Sequence, residues 1–74
     1  MSSIGELYIV NIGQAIKAQR ELNNWTQMQL AEKTGISRAA ISKYETNDRE
    51  PDIRTLIVLA NVFQVSLDEL VGRD

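Results

Sequence analysis

The sequence predicts an all-α fold, a compact set of five short helices, and three observations carry that expectation. Apolar residues recur at three- and four-residue spacing in successive stretches, the period of a helix face. Five polar residues that cap helices, Asn11, Thr26, Ser37, Asp52 and Ser66, stand one before each stretch. Between Thr26 and Arg49 the chain reads as two short helices joined by a tight turn containing Gly35.

Residues 1–10, MSSIGELYIV, form an N-terminal extension or arm, and residues 11–74 are the folded domain. The extension either lengthens the first helix, forms a short arm, covers the core edge, or waits for a partner to order it. Asn11 caps a helix from Ile12 to about Leu22, whose inward stripe is Ile12, Ala15, Ile16, Gln19 and Leu22. Asn23 and Asn24 end it, because Asn tolerates the left-handed backbone. Trp25 follows. Its position before a cap favours a plug under the loop over a stack on a base.

Thr26 and Gln29 have the spacing of a capping box. Leu30 and Ala31 face inward from the helix they open, with Met28 and Thr34 on its borders. Ala31 is small where a crossing helix has to come close. Gly35 supplies the left-handed stop, Ile36 plugs the core, and Ser37 caps the next helix, about Arg38 to Glu45. With Arg38 set at zero and ~100° per residue, Ile41 and Tyr44 fall near ~300° and ~240°, which is the core side. Ser42, Ala39 and Lys43 fall near ~40°, ~100° and ~140°, and Arg38 flanks them at the helix start. A DNA major groove admits a helix whose early side chains reach base edges. Arg and Lys suit guanine O6 and N7, Ser suits either kind of partner, and the Ala39 methyl suits a thymine methyl. Taken alone, a face with one Arg and one Lys is more often a solvated helix face; the surrounding pattern reverses the balance in favour of a groove.

After the loop from Thr46, Pro51 holds the chain extended and Asp52 caps a helix from Ile53 to about Phe63. Ile53, Leu56, Ile57, Ala60 and Phe63 form its expected core face, with Leu59 at the edge. Val58 and Val62 are expected to point outward one turn apart, and with Val71 they are the candidate dimer contact. Ser66 and Glu69 form a second capping box for a last helix with Leu67 and Leu70 inward, ended by Gly72.

Seventy-four residues make one small domain with one modest core. The absence of Cys excludes a disulfide framework and thiolate-held metal, and the absence of His removes the commonest general base and metal ligand. With no Gly-rich phosphate loop and no convergent carboxylate pair either, the sequence argues against an enzyme; no cofactor is expected and no small-molecule ligand is evident. The longest apolar run near the start, Leu7 to Val10, is too short for a signal peptide, and no stretch could span a membrane. A cytoplasmic protein is expected. The net charge is −2, without the basic excess usual in a nucleic-acid binder. Its distribution matters more than its sum. Residues 17–49 hold six cations against four acids, whereas residues 50–74 hold two cations against five acids. Positive charge gathers around the proposed reading helix, so contact through amides and polar side chains should outweigh a broad basic patch.

The run Ile12-Gly13-Gln14-Ala15-Ile16, Thr26-Gln27, Leu30 to Ser37, Ile41 to Glu45, Arg49-Glu50-Pro51, Leu59-Ala60 and Val65 to Leu70 resembles the lambda-repressor-like helix-turn-helix family. This is also called the xenobiotic-response-element family of bacterial and phage repressors. The likeness spans roughly residues 12–72 and is specific only in combination. It implies a five-helix lambda-repressor-like domain and a sequence-specific regulator of transcription, in all expectation a repressor. Such a protein binds double-stranded DNA at a pseudo-palindromic operator as a homodimer, half-sites about one helical turn apart or a multiple of it. It further implies base reading by Arg38, Ala39, Ser42 and Lys43, and backbone contact by Gln27, Ser37, Thr46, Asn47 and Arg49. Arg20 and Glu45 become an inward ion pair, structural rather than DNA-contacting. Two positions depart from the pattern: Asn47 stands where Gly is frequent, and Asp48 puts an acid where Lys or a polar residue is frequent. Asp48 and the acidic net charge favour the alternative, a protein–protein module on the same fold such as an antitoxin or anti-repressor.

Overall fold

The computed structural model describes residues 11–71 of the chain; the N-terminal arm and Gly72 lie outside the described residues. Among the described residues five helices follow one another: α1 Ile12–Leu22, α2 Gln27–Thr34, α3 Arg38–Glu45, α4 Ile53–Phe63 and α5 Leu67–Leu70. Each donates one side chain of 0% exposure to a common centre: Ile16, Leu30, Ile41, Leu59 and Leu70. Burying each such residue stabilises the fold by about 1.5–3 kcal/mol, so helices too short to persist alone hold one another in place. Tyr44, Leu56, Ala60 and Phe63 complete the core, and Trp25, Ala31, Ile36 and Leu67 close its rim.

The caps explain the boundaries. Thr26 and Gln29 exchange hydrogen bonds of 3.0 and 2.8 Å, and Ser66 and Glu69 repeat the arrangement at 3.1 and 2.8 Å. Ser37 Oγ accepts from Ala40 N–H at 3.1 Å, and Asp52 Oδ1 accepts from Thr55 N–H at 2.8 Å. Gly35 ends α2 at φ 77°, and Asn24 turns the chain after α1 at φ 60°.

Asn11 behaves otherwise. Its side chain makes no cap hydrogen bond; the first turn of α1 is satisfied from across the fold, where Asn47 Oδ1 accepts from Gly13 N–H at 3.2 Å. That contact needs a close approach. A Cβ on Gly13 would stand 2.7 Å from Asn47 Oδ1 and 3.0 Å from the Glu45 carbonyl oxygen, so only glycine lets α1 abut the end of α3.

Three other expectations are corrected. Leu22 does not join the α1 stripe; it is 74% exposed, because the chain turns away beyond it and Trp25 covers that end of the core. On α4, Ile53 and Ile57 are 63% and 44% exposed, while Leu59, expected at the edge, sits at 0%. Val62, expected to face outward as part of the dimer contact, packs against the core instead, and its neighbour Val58 is half-buried. The physical reason is the composition of α4. It is apolar on nearly every side, so periodicity cannot choose a face. The neighbours choose it: α4 packs against α1, α2 and α5, which cover the flank bearing Leu59 and Val62.

Candidate nucleic-acid interface

Helix α3 packs by one side onto α1 and α2, which buries Ile41 and Tyr44. The opposite side is thereby presented outward. Arg38, Ala39 and Lys43 are exposed there and Ser42 is half-buried. Ser37 caps the same helix with its oxygen, and its hydroxyl keeps a proton to donate.

Below this face, at the C-terminal end of α3, lies a tight polar network. Arg20 Nε donates to Glu45 Oε2 at 2.7 Å and Arg20 Nη2 to Glu45 Oε1 at 3.0 Å, a bidentate pair. The two side chains are only 12% and 4% exposed. The hydrogen bonding of Arg20 to the Glu45 carboxylate is the main reason that the guanidinium is raised above its ordinary pKa; burial opposes it. The third nitrogen, Nη1, donates to the Trp25 carbonyl at 2.8 Å. Trp25 in turn stacks on Phe63 with ring centroids 6.1 Å apart, and Lys33 Nζ stands 4.8 Å from the Trp25 ring centre. Gln27, the first residue of α2, adds a further donor: its Nε2 reaches Glu45 Oε1 at 3.0 Å.

The loop after α3 is wound on itself. Lys43 O accepts from the amides of Asp48 and Arg49 at 2.9 and 3.3 Å, and Asn47 adopts φ 64° to permit it. Asn47 binds α1 through its oxygen, which leaves its side-chain nitrogen as a donor. The Thr46 hydroxyl lies 2.7 Å from Asp48 Oδ2 and 3.2 Å from the Ser42 and Lys43 carbonyls, so its one proton is engaged within the loop. Arg49 is exposed. Of the residues expected at a DNA backbone, Gln27 and Asn47 are therefore each half-committed to the fold, Thr46 is fully so, and Arg49 faces solvent. Val71, the remaining dimer candidate, is half-buried at the end of α5.

Two contributors escaped the sequence reading. The Gly13–Asn47 contact joins residues 34 apart, and its only local trace is a glycine inside a first helical turn, where it costs stability unless something approaches closely. The Gln27–Glu45 bond had no trace at all.

A family model described as helix-turn-helix matches residues 16–70. The transcriptional regulator ImmR of Bacillus subtilis is 38% identical over 65 residues, covering 88% of this chain and 51% of that protein. The cryptic phage CTXphi transcriptional repressor RstR of Vibrio cholerae is 36% identical over 64 residues, 86% of this chain and 57% of that one. The control protein C.SmaI of Serratia marcescens is 34% identical over 62 residues, 84% of this chain and 74% of that one. Among solved structures, the P22 c2 repressor protein in complex with a synthetic operator superimposes with a TM-score of 0.77 at 33% identity, covering 85% of this chain and 96% of that one. The chain belongs to the lambda-repressor-like, xenobiotic-response-element family of helix-turn-helix proteins, with that family's all-helical fold. It spans about half the length of the Bacillus and Vibrio regulators.

Proposed function

We propose that the protein is a sequence-specific DNA-binding regulator of transcription, a repressor, that lays α3 in the major groove of an operator. The observation that carries this reading is the outward face of α3, where Arg38, Ala39, Ser42 and Lys43 stand opposite the buried Ile41 and Tyr44. Arg38 and Lys43 supply donors for guanine, Ser42 a two-way hydroxyl, and Ala39 a methyl contact. Gln27 and Ser37 on one side, and Asn47 and Arg49 on the other, hold the phosphates and fix the register. The relatives named regulators and repressors, and the neighbour solved on a synthetic operator, support the same reading. No catalytic step, cofactor or small-molecule ligand enters it. Among the described residues no helix is long and apolar enough to cross a membrane. A DNA target would put the protein's work in the cytoplasm.

The protein acts as a homodimer on a pseudo-palindromic site, the two recognition helices about one helical turn apart or a multiple of it. Val58 and Val71 remain contact candidates, and exposed Ile53 and Ile57 are further apolar surface on α4. A second reading, a protein–protein module, is favoured by exposed Asp48 beside the groove face and by the same two isoleucines.

Selection of duplexes from genomic fragments, followed by salt titration of an enriched one, separates the readings. An enriched inverted repeat, with affinity falling steeply as salt rises, supports the regulator. No enrichment at low salt by folded protein overturns it in favour of the protein–protein module. Sedimentation of the complex tests the homodimer: one monomer on one half-site at saturation sinks it.

A further inference from the structure

We infer that Glu45 is a positioning residue for DNA binding, acting through Gln27: its carboxylate fixes which end of the Gln27 amide meets the phosphate. The inference rests on the proposed DNA reading and deepens it. Three distances carry it. Glu45 Oε1 receives Gln27 Nε2 at 3.0 Å and Arg20 Nη2 at 3.0 Å, and Glu45 Oε2 receives Arg20 Nε at 2.7 Å.

A glutamine amide is a donor at one end and an acceptor at the other, and a free side chain presents both. A carboxylate removes that freedom, because it accepts only donors. Glu45 therefore holds the nitrogen end of Gln27 and turns the amide oxygen away. One Nε2 hydrogen is committed to Glu45 and the second remains for an anion. The flipped amide would set its oxygen against the carboxylate, so the wrong orientation is excluded before DNA arrives. Glu45 itself cannot wander. It is 4% exposed and clamped bidentately by Arg20, whose third nitrogen is tied to the Trp25 carbonyl in the segment leading into Gln27. The pair thus does more than brace α1 against α3: it presets the polarity of a clamp on the neighbouring helix, which spares the ordering cost on binding.

The test is a double-mutant cycle on a fluorescein-labelled duplex carrying the enriched repeat, read by anisotropy at fixed salt. The four proteins are wild type, Gln27→Ala, Glu45→Gln and the double variant, with Trp25 emission and thermal melts confirming that each is folded. Gln27→Ala is expected to weaken wild-type binding about 5- to 10-fold, the net worth of one ordinary hydrogen bond, and by less than about 2-fold where Gln stands at 45. Equal factors in both backgrounds would show Glu45 to be structural only and overturn the inference. Should Glu45→Gln not fold, the wild-type protein answers by NMR of the Gln27 side-chain amide. On adding duplex one of its two hydrogens should shift while the other stays bonded to Glu45; movement of both, or of neither, counts against the inference. A wild-type protein that binds no duplex ends the DNA reading and this one with it, whereas binding with an additive cycle ends this one alone.

Discussion

Glu45 and Asp48 are two acids three residues apart at the end of the same helix, and the fold treats them oppositely. Glu45 is 4% exposed and gathers donors from Arg20 and Gln27. Asp48 is exposed and accepts from the Thr46 hydroxyl within its own loop at 2.7 Å. A buried carboxylate without donors is costly, so Glu45 is fixed by its partners and they by it. An exposed one is screened by water and salt, so Asp48 is free to serve the surface field rather than the fold. On the proposed DNA reading, charge at this end of α3 has two separable jobs, holding the helices together and setting the field that a phosphate would meet.

The largest effect should come from breaking the buried side. Glu45→Ala leaves Arg20 charged and deprived of its carboxylate at 12% exposure, and is expected to cost about 2–4 kcal/mol of unfolding free energy by urea titration. A loss below about 0.5 kcal/mol would mean that the pair is no stronger than a surface bridge, and the contrast with Asp48 would collapse.

The next effect falls on binding and leaves stability alone. Arg38→Ala should lose roughly 1–3 kcal/mol of affinity for the enriched duplex and relax preference at one base position. Arg49→Ala should weaken all duplexes alike and shrink the salt slope by about one phosphate. If both variants lost specific and random DNA equally, the division between reader and clamp would be mistaken.

How much of this was legible in the sequence depended on how local the cause was. Thr26 with Gln29, Ser66 with Glu69 and Gly35 announce themselves because partner and cause lie within four residues, and the structure follows them. The helix bounds and the two faces of α3 were legible for the same reason: Ile41 and Tyr44 share one side of a helix that is polar elsewhere. The α4 face was not, since a helix apolar all round takes its orientation from neighbours that no periodicity names. The cap of α1 was misread because its oxygen comes from Asn47, 34 positions away. The role of Arg20 and Glu45 was visible only through family resemblance, and the Gln27 bond to Glu45 not at all, since both depend on where α1, α2 and α3 meet.

A smaller effect of opposite sign should follow from changing the exposed acid. Asp48→Asn keeps an oxygen for the Thr46 hydroxyl and removes the charge, so the melting temperature should hold while affinity rises about 2- to 4-fold at low salt, fading as salt increases. Reduced affinity for DNA would instead assign Asp48 a partner or a fixed role in the loop.

The smallest effect belongs to a third acid, which separates exposure from idleness. Asp52 is as open to water as Asp48, yet its carboxylate caps α4. The hydrogen bond from the Thr55 amide, then that from the Thr55 hydroxyl, hold it below the ordinary carboxylate range; desolvation opposes them, and the nearby Arg54 charge adds the least. A carboxylate whose pKa is depressed by folding adds stability that is fully present above its unfolded value, about 4, and is lost as pH falls through the depressed value. Asp52→Asn retains an oxygen that can cap but has no charge to titrate. Its melting temperature should therefore lie slightly below wild type at neutral pH, and the gap should close as the solution is taken into acid. A gap that stayed constant with pH would show the cap to act through its hydrogen bond alone. Asp52 would then join Asp48 as a charge the fold does not use, and the contrast would reduce to burial after all.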